Sequence, residues 1–125
     1  MLHQKARGWF ISSDGESWGL CPITESGFIR VMASPVMQAS QCTTAEAADI
    51  LRELATRPGY CYWPITDSWN TLTAPFADRI FGHQQVTDAY LLGLAIKNDG
   101  VLVTFDKAIR FLAGAEFSRN LHILE

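Results

Sequence analysis

Long apolar runs are missing from this sequence. Stretches such as Tyr90-Leu91-Leu92-Gly93-Leu94-Ala95-Ile96 fall far short of the roughly 20 residues that a bilayer-spanning helix needs, so no membrane partner is expected. The first ten residues carry two cations, Lys5 and Arg7, and no extended apolar segment, which excludes the pattern of a secretory signal and makes a cytoplasmic location the default expectation. Paired cysteines are missing too. Cys21, Cys42 and Cys61 are widely spaced, with no Cys-x-x-Cys that would point to zinc or a redox couple, and they read as reduced, mostly packing residues. Charge is sparse, at 18% of residues, and an excess of positive charge is absent: the net charge is −3. That excludes a broad basic footprint of the sort that neutralises phosphates nonspecifically. Any nucleic-acid contact must then be local, through Lys5, Arg7, Arg30, Arg79, Lys97, Lys107 and Arg110, with a bound metal adding positive charge. Repeats, low-complexity tracts and linker-like stretches are lacking as well, which makes residues 1–125 one expected domain.

What is present is enough apolar material, 48% of 125 residues, for a core without staples. The residues through Phe10 read as the tail of an amphipathic helix, followed by a polar turn over Ser12 to Ser17 and a short strand from Trp18 to Ile23. Apolar spacing over Thr24 to Met32 predicts a helix that stops near Ser34-Pro35, because proline disfavours helix in the residue before it. Thr43-Thr44-Ala45-Glu46 is a capping box, in which a threonine and a glutamate three residues on satisfy orphan backbone donors. The helix it opens has Ala47, Ala48, Ile50, Leu51, Leu54 and Ala55 as its expected buried stripe and ends by Arg57-Pro58-Gly59. Tyr60 to Trp63 reads as a strand, Ser68 to Thr73 as a helical piece broken at Pro75, and Gly82 to Gln85 as a turn into a helix from Val86 to Lys97. Val101-Leu102-Val103 and Leu121 to Leu124 are short apolar strands of the buried parallel type. Helices alternating with such strands predict an α/β domain with a mostly parallel sheet covered on both faces. Ligands of such sheets bind at the carboxyl ends of the strands.

Three carboxylates stand at element ends where that rule points: Glu25 at the start of a helix, Asp88 in a helix's first turn, and Asp106 just beyond Val101-Leu102-Val103. Acids that converge repel each other, and a hard cation such as Mg²⁺ or Mn²⁺, which prefers oxygen ligands, relieves the repulsion. Such an ion can activate water and steady a leaving oxygen in phosphodiester cleavage. Thr104, two residues before Asp106, is placed to add a hydroxyl. Each acid also has a plainer use: Asp88 and Glu25 as first-turn acids favoured by the helix dipole, Asp106 as a turn former. Residue types alone leave both readings open, while zinc, P-loop and nucleophile-elbow signatures are absent.

Three stretches, Cys21-Pro22-Ile23-Thr24-Glu25-Ser26-Gly27-Phe28-Ile29-Arg30-Val31, Gly82-His83-Gln84-Gln85-Val86-Thr87-Asp88-Ala89-Tyr90-Leu91 and Val103-Thr104-Phe105-Asp106-Lys107, resemble the acidic motifs of PIN domains of the VapC toxin type. They come in the family's order, with Trp63-Pro64 between them. The resemblance implies a three-layer α/β/α sandwich around a mostly parallel sheet and a metal-dependent endoribonuclease. In it Glu25, Asp88 and Asp106 hold Mg²⁺ or Mn²⁺, and Thr104 fills an auxiliary polar position of the site. It further implies RNA as substrate, a cognate antitoxin as partner, and homodimerisation. The family pattern also has an earlier strand ending in an aspartate within an Asp-x-Asn run, and nothing here matches it. The expectation is an N-terminally truncated version of the fold, with an unpaired ladder that invites dimer pairing and a weaker metal site.

Two competing readings follow from that departure and from the acids. One is a catalytically impaired interaction module that keeps the fold and the partner surface. The other is a different Mg²⁺-using α/β domain, a phosphatase or receiver domain, which would need a nucleophilic aspartate run after a first strand that this sequence does not show. Among single residues, His83 beside the Asp88 helix is a phosphate contact or a hydrogen-bonded turn residue, and Arg30 an RNA contact or a salt-bridging neighbour of the site. Trp9, Trp18, Trp63 and Trp69 are stacking platforms or core residues, with core packing the simpler use for Trp63.

Overall fold

The computed structural model describes residues 18–35 and 42–124, which fall into two compact units, 18–66 and 67–124. The expected N-terminal helix through Phe10 and the polar turn after it lie outside the described residues, as do Lys5, Arg7 and Trp9.

The first unit runs β1 (Trp18–Leu20), α1 (Pro22–Met32), α2 (Thr44–Leu54) and β2 (Tyr60–Tyr62). The strand expected to reach Ile23 ends at Leu20, because Pro22 already occupies the first helical turn, where its fixed φ and missing N–H cost nothing. Thr24 secures that start: its Oγ1 accepts from the Cys21 N–H and donates to the Cys21 carbonyl, both at 2.9 Å. The Thr43 capping box forms as its residues dictate. Thr43 Oγ1 accepts from the Glu46 N–H at 3.1 Å, and Glu46 Oε1 accepts from the Thr43 N–H at 2.9 Å. Of the stripe expected on this helix, only Ala47 is fully buried, and Ile50 and Ala55 are exposed. The main neighbour of α2 is the single helix α1, and one neighbour covers less than a full apolar face.

β1 and β2 pair in parallel with Gly19 opposite Cys61. A Cβ at Gly19 would stand 2.8 Å from the Cys61 carbonyl oxygen and 3.2 Å from Trp63 Nε1, so the close approach of Trp63 depends on the missing side chain. Trp63 is half-buried, and Trp18 meets Tyr60 edge-on at 5.1 Å between ring centroids. The cysteines are free thiols. Cys21 is buried as a packing residue, whereas Cys61 is exposed.

The second unit contains α3 (Trp69–Thr73), a 3₁₀ segment (Ala74–Arg79), a 3₁₀ turn (His83–Gln85) and α4 (Val86–Lys97). It continues with β3 (Leu102–Thr104), α5 (Ile109–Ala113), a 3₁₀ turn (Ser118–Asn120) and β4 (Leu121–Ile123). Ser68 caps α3 by accepting from the Thr71 N–H. The chain does not leave helical geometry at Pro75 as expected; it tightens into the 3₁₀ segment, and the break falls one residue later at Phe76, with φ −136°. That rotation takes the Phe76 ring into the core with Ala89, Leu92, Ile109, Leu112 and Ala113.

α4 is apolar nearly all round, and its buried residues include Ala89, Tyr90, Leu92, Leu94 and Ala95. It ends by a Schellman arrangement: the Gly100 N–H bonds the Ala95 carbonyl at 2.7 Å and the Asp99 N–H bonds the Ile96 carbonyl, with Asp99 itself at φ +52°. β3 and β4 are parallel, Val103 opposite His122, and the buried Asn120 ties the turn before β4 to the Gly100 carbonyl at 2.9 Å. All strand pairings are parallel, as the α/β reading requires. Among the described residues they form two two-stranded ladders, β1 with β2 and β3 with β4, where one continuous sheet was expected.

Candidate active site

Asp106 is placed by its own turn. Thr104 Oγ1, at the carboxyl end of β3, accepts from the Asp106 N–H at 3.1 Å, and Asp106 Oδ1 accepts from the Ala108 N–H at 2.9 Å. These two local bonds fix the loop that leads into α5, and they show Asp106 performing the turn-forming job that its residue type allows. They also orient its carboxylate, one oxygen of which is engaged by the backbone. Thr104 therefore acts on the backbone of Asp106, aligning the loop.

Asp88 lies in the first turn of α4, half-buried. Burial raises its pKa above the ordinary aspartate value, and the negative charge of Asp106 raises it further. The two acids are 18 residues apart in the chain, and the second unit folds so that each feels the other's charge. A lone first-turn acid would gain from the helix dipole. This one is instead held in a place where ionisation is penalised, which marks a candidate functional position.

Glu25 belongs to the first unit, in the first turn of α1, where its N–H makes the first helical bond to the Cys21 carbonyl at 2.9 Å. Its described neighbour is Tyr60: partial burial, and then the charge of Glu25, raise the phenol above its ordinary pKa. Tyr60 stood out in the sequence only as a strand residue, and only the fold brings it within reach of the charge of Glu25. Among the described residues, no three His, Cys, Asp or Glu side chains lie close enough together to hold one ion. The donor chemistry of the Asp88–Asp106 pair, two oxygen ligands in mutual repulsion, nonetheless suits a hard divalent cation.

Two of the candidate RNA-contacting cations make contacts within the protein. Arg79 donates through Nη1 to the carbonyls of Leu112 and Ala113, at 2.9 and 3.1 Å, closing the end of α5, and its Nη2 meets Glu116 at 3.3 Å. Lys97 pairs with Asp67 at 2.9 Å. Trp69 donates to the Val86 carbonyl at 3.0 Å, which ties α3 to the start of α4. His83, Lys107, Arg110 and Arg30 are exposed.

An α/β chain with parallel strands and two mutually repelling acids beyond a strand's carboxyl end and at a helix start defines a class of carboxylate-site domains. Comparison with known proteins places it more closely. No family model matches the chain. It is 36% identical over 111 residues to Ribonuclease VapC44 of Mycobacterium tuberculosis, covering 89% of this chain and 78% of that protein. It is 32% identical over 113 residues to Ribonuclease VapC39 of the same organism, covering 90% and 81%, and 36% identical over 111 residues to its Ribonuclease VapC38, covering 89% and 77%. The chain belongs to the VapC ribonuclease family, with its PIN-type α/β fold.

Proposed function

We propose that this chain is an endoribonuclease toxin of a toxin–antitoxin pair that hydrolyses RNA phosphodiesters with Mg²⁺ or Mn²⁺. Likeness to three proteins named as VapC ribonucleases, over nearly the whole chain, supports the reaction. The observation that carries the site is the pKa of Asp88, raised first by burial and then by the charge of Asp106, since acids whose charges repel are what a divalent cation binds. In this reading Asp88, Asp106 and Glu25 are the metal's ligands, and Thr104 holds the Asp106 loop in register. An ion bound there would supply positive charge against the developing negative charge of the phosphate and would make water a better nucleophile. The protein's part is to aim the carboxylates, one of which would relay the water's proton.

RNA is the proposed substrate, and an antitoxin and a second copy of the chain are the proposed protein partners. Phe81 and Phe111 support a protein-covered surface: their rings lie 5.7 Å apart, yet they are 76% and 58% exposed. We read the two units as parts of one PIN-like domain over 1–125. No helix among the described residues is long and apolar enough to cross a membrane, which is compatible with the proposed cytoplasmic location.

The test is cleavage of a structured RNA by the full chain in Mn²⁺, beside Asp88→Ala and a chelator control. The expected result is a loss of at least about a hundredfold in both controls. Cleavage indifferent to either would sink the metal-site reading. The second reading, an impaired interaction module, is favoured by the lack of a three-ligand cluster among the described residues. It predicts no Mn²⁺-dependent cleavage by the unmodified chain.

A further inference from the structure

Asp88 and Asp106 stand on separate stretches of the second unit, and the packing of α4 against α5 relates them. Ala89, next to Asp88, shares the core with Ile109 and Leu112 of α5. Asp106 closes the start of that helix, its Oδ1 accepting from the Ala108 N–H. α5 has only five residues, far short of the roughly 12 that an isolated helix needs, so its seat depends on what grips it from outside.

Arg79 grips its other end. Nη1 donates to the carbonyls of Leu112 and Ala113 at 2.9 and 3.1 Å, in the last turn, where a helix runs out of its own donors. Gly114 makes the room: it stands at φ +60°, and a Cβ there would lie 2.8 Å from Nη1. The base of the arginine is fixed as well. It ends the 3₁₀ segment whose Phe76 is fully buried in the same core, and the following Ile80 packs against that core. Next along the chain, the Phe81 ring meets Phe111 at 5.7 Å, a second tie between the same two stretches. The stretch that leads into Asp88 is thus fastened to the helix that Asp106 opens. With α5 a rod about 7.5 Å long, a shift at its held end is passed to the loop that carries Asp106.

We propose that Arg79 is a positioning residue of the metal site: by holding the carboxyl end of α5 it sets the separation of the Asp88 and Asp106 carboxylates at which one divalent ion touches both. The proposal rests on the metal-dependent ribonuclease reading and deepens it. A purely electrostatic role has the opposite sign. A guanidinium that acted only through its charge would repel the cation, so removing it would tighten metal binding, whereas removing a positioning group weakens it. A purely structural role lowers the melting temperature and leaves the affinity of the folded protein unchanged.

Calorimetric titration of the full chain with Mn²⁺, without RNA and well below the melting temperature of each variant, distinguishes the three. Arg79→Gln, uncharged and too short to span both carbonyls, is expected to weaken Mn²⁺ binding about tenfold. Arg79→Lys keeps the charge but loses the planar fork, and should weaken binding too. Glu116→Gln, which removes only the exposed partner of Nη2, should leave it unchanged. Asn120→Ala is the stability control. Its buried amide bonds the Gly100 carbonyl before β3, while Asp106 follows the other end of that strand, so this variant should melt lower and bind Mn²⁺ as the parent does. Unchanged or tighter binding in Arg79→Gln overturns the proposal. So does an equal loss in Asn120→Ala, which would trace the effect to a loosened core. Asp88→Asn separates this role from the reading beneath it. If that variant loses Mn²⁺ while Arg79→Gln binds normally, only the positioning role fails; if the parent does not bind Mn²⁺, or Asp88→Asn binds it equally well, the carboxylate site fails and the positioning role with it.

Discussion

Asp88 shows how a single side chain can be placed against its own electrostatic preference. Its folded pKa is raised, by burial first and by Asp106 second, so the folded protein binds this proton more tightly than the unfolded chain does. The sign follows directly. Below the unfolded aspartate pKa both states hold the proton and no penalty exists; as pH rises through the folded pKa the penalty grows, and above it the penalty is complete. Asp88→Asn is therefore expected to raise the melting temperature of the metal-free protein near neutral pH, by a margin that shrinks on acidification toward about pH 3. Thermal melts in EDTA at several pH values check this, and a variant less stable than the parent at neutral pH would contradict it. Loss of cleavage together with a gain in stability is the trade expected of a side chain kept for chemistry.

At the scale of elements, helices α3 and α4 depend on one glycine. Gly93 faces the Leu72 carbonyl so closely that a Cβ would lie 2.8 Å from the Leu72 carbonyl carbon, and backbone cannot yield as a side chain tip would. The close approach lets Tyr90 donate to the Asp67 carbonyl at 2.8 Å and lets Lys97 reach Asp67. Gly93→Ala is expected to cost at least about 2 kcal/mol despite alanine's higher helix propensity, because overpacking outweighs the gain of roughly 1 kcal/mol. Urea denaturation measures the difference, and a stabilised variant would show that the helices can part freely. Glycine inside the Val86–Lys97 run is visible in the sequence, but the element it faces is not.

Local signals explain which elements were legible. The Thr43 capping box and the Asn98-Asp99-Gly100 stop each act within a few residues, and each formed where the sequence indicated, whereas Pro22, read as part of a strand, opens α1. α5 went unread because it is five residues long and starts at Ala108, whose side chain supplies no cap. Its amide partner is the carboxylate of Asp106, an acid whose sequence position suggested metal ligation or a turn. The exposed face of α2 was misread for a different reason: apolar spacing tells which side of a helix prefers cover, whereas how much cover exists depends on its neighbours.

On the scale of the whole molecule, the proposed metal should act as a folding ligand as well as a cofactor. An ion that neutralises the Asp88–Asp106 repulsion binds the folded state alone, because the unfolded chain holds these acids apart. Mn²⁺ at about a hundred times its dissociation constant is expected to add roughly 2.7 kcal/mol of stability, reversed by EDTA. Differential scanning calorimetry with Mn²⁺ and with Ca²⁺ as a size control reads this out. No upward shift in Tm, or a shift retained by Asp88→Asn, would remove the pair from the metal's site.

The sequence by itself determined the parallel α/β pattern, most helix starts and stops, and the short list of acids worth following, because apolar period, caps and breakers act through neighbours in the chain. Tertiary structure alone decided that burial and the charge of Asp106 raise the pKa of Asp88, that the charge of Glu25 reaches Tyr60, and that Arg79 closes a helix end. Charge interactions and hydrogen bonds of this kind depend on distances of a few ångströms between residues remote in sequence. Only the packed core around Phe76, Leu92 and Leu112 sets such distances in the second unit.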